Sequence, residues 1–197
     1  MMTTANMLDN TLRPIQEYTH NGHSQQAFPL AMGAGHINPN KALDPGLVYD
    51  ATPQDYVNLA CSVRPSKGEI KKITKSSKYS CSNPSSNLNY LSLFITYKYR
   101  RFMKRKPVNF QRTVTNVGEG AATYNARVNA IENFDVMVMP KTLVFERKYE
   151  KKTYNVTLSP KRRLEYFSSF SELMWVEENE KHHVGSLIVV EMYKNLF

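Results

Sequence analysis

The chain reads as mainly β: a C-terminal antiparallel β-sandwich over residues 88–197, preceded over residues 1–87 by short helices and loops. Three observations predict this. From about residue 88, short runs rich in Val, Thr, Tyr, Phe and Leu follow one another, and several alternate apolar with polar residues. Turn residues separate these runs, among them Gly118-Glu119-Gly120 and Glu177-Glu178-Asn179-Glu180. Upstream, Gly, Pro, Asn and Ala are frequent and the apolar spacing is helical. Seven or eight short strands over about 110 residues fit two packed antiparallel sheets.

Taken in order, the first 50 residues hold one clear helix signal. Asn38 is a good N-cap and Pro39 suits the first helical position, so a short helix runs through Leu43 until Pro45 and Gly46 stop it. Gly33 and Gly35 allow a tight turn or a close backbone approach. A second helix starts at Thr52, with Pro53 at N1 and Asp55 complementing the dipole; Tyr56, Leu59 and Ala60 share a face. A further amphipathic turn covers 69–75, with Ile70 and Ile73 three apart, and the Ser- and Asn-rich stretch 76–87 is loop. Strands are expected at 88–97, 110–116, 122–130, 134–139, 142–145, 153–158, 171–176 and 182–190. Val114, Tyr124, Val128, Val144, Trp175 and Val189 are expected in their core.

Composition excludes several classes. With 41% hydrophobic and 22% charged residues over 197 positions, the chain can bury a real core and is not charged enough for general disorder. No run approaches the roughly 18 apolar residues of a membrane span. Met1-Met2-Thr3-Thr4-Ala5 lacks the basic and apolar regions of a secretory signal. The net charge of +9 is concentrated locally: six basic residues and no acidic one lie between Lys98 and Lys106. The stretch 97–106 mixes cations with aromatics, as single-strand nucleic-acid binders do, but one basic run without fold context reads as a solvated connection. A basic nucleic-acid-binding protein is thus the least favoured alternative.

Catalytic and metal-binding constellations are sparse. No Gly-x-Ser-x-Gly elbow exists, and nothing singles out a serine. His182 and His183 are neighbours on an expected strand and face opposite ways. His36 reads as a loop residue that packs or hydrogen-bonds. His20-Asn21-Gly22-His23 lacks a third ligand nearby. Neither a metal site nor a cofactor is expected. Cys61 and Cys81 leave one possible intramolecular disulfide.

Several strings resemble the plant subtilisin-like serine proteases. Met2-Thr3-Thr4-Ala5, the stretch from Pro29-Leu30-Ala31-Met32-Gly33-Ala34-Gly35-His36 to Asp44-Pro45-Gly46-Leu47-Val48-Tyr49-Asp50, Asp55-Tyr56 and Cys61 resemble the end of that family's catalytic domain. Leu88-Asn89-Tyr90, Arg112-Thr113-Val114-Thr115-Asn116-Val117-Gly118, Leu173-Met174-Trp175 and Ile188-Val189-Val190 resemble its fibronectin-III-like domain. The departures are Leu91, where the family usually has proline, Val184-Gly185-Ser186-Leu187, where it tends to have arginine and proline, and the stretch 97–106, which has no recognised counterpart.

The resemblance implies a secreted serine endopeptidase with a Ser-His-Asp triad, in which histidine takes the serine proton and an oxyanion is stabilised by a donor pair. It also implies that the nucleophile's Gly-Thr-Ser-Met-Ala motif, the histidine, the aspartate and the oxyanion asparagine precede this stretch. No catalytic residue is therefore expected here, and the chain reads as a non-catalytic C-terminal fragment, 1–87 being the catalytic-domain remnant. Apolar residues such as Phe28, Leu30, Met32, Ile37 and Leu47 would then lack anything large to cover them, leaving the first 50 residues loosely ordered or aggregation-prone. The alternative is a full secreted endopeptidase of which this is a piece. The family's partner for the sandwich is its own catalytic domain. An extracellular location implies a Cys61–Cys81 bond worth about 3 kcal/mol, whereas a cytosolic one implies free thiols. Asn155-Val156-Thr157 is a possible N-glycosylation site in the same secreted setting; Asn83-Pro84-Ser85 is blocked by its proline.

Overall fold

In the computed structural model, residues 1–63, 67–98, 106–161 and 168–193 are described. The period-two runs become strands: β4 (Leu93–Lys98), β5 (Val108–Asn116), β6 (Ala122–Val128), β7 (Phe134–Met139), β8 (Thr142–Phe145), β9 (Lys151–Pro160), β10 (Ser168–Glu177) and β11 (His183–Tyr193). They form two sheets, one ordered β4-β11-β10-β6-β8 and one in which β5, β9 and β7 are neighbours. Every pair is antiparallel except β4 with β11, which runs parallel.

Alternation sets the core. From β9, Tyr154, Val156 and Leu158 point inward, against Leu173 and Trp175 of β10 and Ile188 and Val190 of β11. Tyr154 meets Trp175 edge to face, with ring centroids 4.9 Å apart. Val114, Tyr124 and Trp175 are fully buried and Val189 is buried, while Val128 packs at the core's margin. Val144 is a correction: it is 55% exposed, because Leu143 and Phe145 take the inward positions of the four-residue edge strand β8.

The upstream stretch begins with a 3-10 turn (Met2–Thr4) and a hairpin of β1 (Gln16–Tyr18) and β2 (Ser24–Gln26). Two short helices follow, α1 (Pro29–Met32) and α2 (Pro39–Leu43), the latter capped by the Asn38 side chain on the Lys41 amide. Then comes a three-residue strand, β3 (Leu47–Tyr49), which joins the four-stranded sheet at the free edge of β5. Leu47 is 0% exposed, so the expectation that nothing covers it is corrected: the sandwich core does. Leu30 and Ile37 remain exposed, and Phe28 packs edge to face on Phe170 at 5.4 Å.

The 3-10 turn lies against β11, on the outer face of the five-stranded sheet. Leu187-Ile188-Val189-Val190 is apolar on both faces and all four are buried.

The helices α3 (Pro53–Ser62) and α4 (Lys67–Thr74) form a separate small cluster around Val57, Cys61 and Ile70. Thr52 and Asp55 make a reciprocal capping box. The face differs from the expected one: Tyr56 and Ile73 are exposed, while Val57 and Cys61, four apart, turn inward where Cys61 meets Cys81. No helix among the described residues is long and apolar enough to cross a membrane.

Candidate functional site

The most developed polar constellation gathers where residues 44–50 meet the sandwich. It is built from residues far apart in sequence. His182 is 6% exposed just before β11; its Nδ1 lies 2.7 Å from Glu177 Oε2 and 3.4 Å from the Tyr124 hydroxyl. Its Nε2 lies 3.0 Å from Asp44 Oδ1, a close contact without hydrogen-bond alignment. Lys181 Nζ reaches the other Asp44 oxygen at 2.9 Å. Lys181, and then His182, hold the Asp44 carboxyl below the usual carboxylate range.

Gly46 sits directly against this corner with φ +72°, and its carbonyl accepts from the Val117 and Gly118 amides at 2.8 and 3.2 Å. A Cβ there would meet the Tyr124 hydroxyl at 2.6 Å and the His182 Cβ at 2.7 Å. Only glycine fits. Beyond it the β3 ladder pairs Leu47 with Asn116, Val48 with Thr115 and Tyr49 with Val114. The Tyr49 hydroxyl lies 2.6 Å from that of Tyr154 and 2.8 Å from Ser186 Oγ. Burial, and next the neighbouring Tyr154 hydroxyl, push the Tyr49 phenol well above its ordinary pKa.

Asp50 closes the far end. Its carboxylate accepts from Thr115 Oγ1 at 2.6 Å and pairs with Lys151 Nζ at 3.0 Å, and both hold its pKa low, the hydroxyl first. Asn89 Nδ2 donates to the Asp50 carbonyl at 2.9 Å, while Asn89 Oδ1 accepts from the Thr113 amide at 2.8 Å. Arg112, buried next to it, fixes the incoming chain by donating to the Tyr90 carbonyl at 2.7 Å and to Asn87 Oδ1 at 2.8 Å. Asn116 is fully buried and ties its own turn: Oδ1 accepts from the Gly118 amide and Nδ2 donates to the Gly120 carbonyl.

This arrangement is chemically a clamp. Both ring nitrogens of His182 face carboxylates, and no serine hydroxyl is among its described hydrogen-bond partners. His183 is exposed on the opposite face. His36 is exposed, and its backbone pairs with Asn6 across a β-bridge at 2.8 Å in each direction. His20 and His23 lie in the exposed β1–β2 turn. No group of three His, Cys, Asp or Glu side chains able to hold a metal occurs among the described residues. Cys61 and Cys81 are joined as a disulfide with Cα atoms 5.6 Å apart. Asn155 is half-buried on the outer face of the four-stranded sheet, beside Gln111 and Met139. Of the basic stretch 97–106, residues 99–105 lie outside the described residues.

The family profile of the fibronectin type-III domain matches residues 87–190. The chain is 48% identical over 190 residues to the subtilisin-like protease SBT3 of Solanum lycopersicum, with 96% of the chain covered. It belongs to the plant subtilisin-like protease family. Two Arabidopsis thaliana relatives, the subtilisin-like proteases SBT1.9 and SBT1.3, are 38% and 35% identical, each over 96% of the chain. This chain spans about a quarter of the length of these relatives: 25%, 23% and 24% respectively.

The clamp of this subtilisin-like chain has no local sequence signal, since 138 positions separate Asp44 from His182. What sequence does offer is Asp44-Pro45-Gly46 before an apolar pair, a pattern that demands a turn and a partner for its glycine.

Proposed function

We propose that this chain acts as the non-catalytic C-terminal module of a subtilisin-like serine endopeptidase, with the sandwich as its structural and interaction domain. The carrying observation is 48% identity across 96% of the chain but only 25% of the Solanum lycopersicum protease. The surface supports the same reading. Leu8, Leu12, Leu30, Ile37 and Leu43 are exposed along residues 1–43, a density of bare apolar side chains that suits a face meeting a larger protein body. In this reading the body is the catalytic domain, which supplies nucleophile, base and oxyanion donors. The extracellular setting of such a protease favours the Cys61–Cys81 bond and permits a glycan on Asn155.

The experiment is direct. The purified chain is incubated with a serine-reactive fluorophosphonate and with peptide substrates, beside a fusion that restores the preceding three quarters of the Solanum lycopersicum protease. The fusion labels and cleaves; the chain alone does neither. Stoichiometric labelling of the chain alone overturns the reading.

A further inference from the structure

We propose that the sandwich contains a recognition groove for an extended peptide of the form Asp-x-Gly-Leu-x-Tyr-Asp, whose resident occupant is residues 44–50 and which accepts that peptide in trans. The inference concerns the sandwich as a binding domain and does not depend on a catalytic partner.

The occupant is gripped at five of its seven residues, and each grip selects a defined chemistry. At one end Lys181 and His182 require a carboxylate, Asp44. Next, the wall formed by Tyr124 and His182 excludes any side chain, which leaves Gly46. The core then takes Leu47 without residual exposure. Two positions on, Tyr154 and Ser186 present hydroxyls to the Tyr49 hydroxyl, a contact that phenylalanine would leave unmade. At the far end Thr115 and Lys151 again require a carboxylate, Asp50. Between these points the backbone is read by the β5 ladder and by the Val117, Gly118 and Asn89 groups that bond the Gly46 and Asp50 carbonyls. Main-chain pairing for affinity with pockets for alternate side chains is how sheet edges bind extended peptides.

Two features make the occupant separable. The strand comes from outside residues 87–190, the stretch the fibronectin type-III profile delimits. On its C-terminal side the chain passes into the α3–α4 cluster, which has its own small core and disulfide, before β4 begins at Leu93. Withdrawing the strand would leave β5 an open edge and the Leu47 position an empty apolar seat, the features that favour strand capture.

The test uses the full chain carrying Leu47→Asp and a site-specific protease sequence inserted between Ala51 and Thr52. Leu47→Asp weakens the resident strand, and cutting frees it. A fluorescein-labelled peptide of residues 43–51 is then added, and anisotropy and the emission of Trp175, the chain's single tryptophan, are followed. The expected result is saturable uptake, with recovery of native Trp175 emission wherever cutting has reduced it. A Gly46→Ala peptide should compete at least tenfold more weakly, and a Tyr49→Phe peptide less well than the parent. The nicked chain without Leu47→Asp should take up less peptide, because its seat is occupied. Absence of uptake by the nicked Leu47→Asp chain, whether its Trp175 emission is native or stays reduced, overturns the proposal. So does equal uptake of all three peptides.

Discussion

Residues 44–50 and residues 8–37 are parts of one upstream stretch, yet they meet the protein in opposite ways. In the first, Leu47 is wholly buried, both aspartates are paired and the backbone extends the four-stranded sheet. In the second, Leu12 is 80% exposed and Leu30 68%, and the small β1–β2 sheet pairs only with itself. Sequence neighbours therefore belong to different energetic units. Residues 44–50 are part of the sandwich; residues 8–37 are largely exposed and touch it through Phe28 on Phe170.

Substitutions sharpen that contrast. The largest effect is expected at Leu47→Ala, which empties a closed core position and should lower sandwich stability by about 2–5 kcal/mol, read from the urea midpoint of Trp175 emission. Equal midpoints for variant and parent would make residues 44–50 ornamental. Removing the disulfide by Cys61→Ser with Cys81→Ser should loosen the α3–α4 cluster by about 3 kcal/mol while leaving the Trp175 transition within about 0.5 kcal/mol of the parent. A smaller effect is expected from acid. The Asp44 and Asp50 carboxyls are held below their unfolded values, so their contribution is present above about pH 4 and is lost as pH falls through the depressed folded values. Both pairs are half-exposed and screened, so the loss should stay within about 1 kcal/mol each and shrink further in molar salt. Leu30→Ala should move the Trp175 midpoint by less than about 0.5 kcal/mol.

Much of the sandwich was legible because period two is a local signal. Tyr154, Val156 and Leu158 alternate with residues that face out, and the strand and its buried face follow. Parity failed at Val144, where a four-residue strand between turns carries too few alternations to show which side is in. The helix caps at Asn38 and Thr52 were legible for the same local reason. Leu47 was not. A three-residue strand has no period, and its partners Asn116 and Val114 lie more than 60 positions away. The Asp44–His182–Glu177 corner was hidden for the same cause, since each residue taken alone is an ordinary polar side chain beside a turn. His182 and His183 were separable by strand parity, but parity does not say that the buried one finds two carboxylates.

The unity of residues 44–50 with the sandwich is tested most directly by hydrogen exchange on the unmodified chain, followed peptide by peptide with mass spectrometry. The peptide spanning 44–50 should exchange on the same slow timescale as that spanning 114–117, while residues 16–26 exchange fast. Exchange of 44–50 at the rate of 16–26, with 114–117 still protected, would contradict the account.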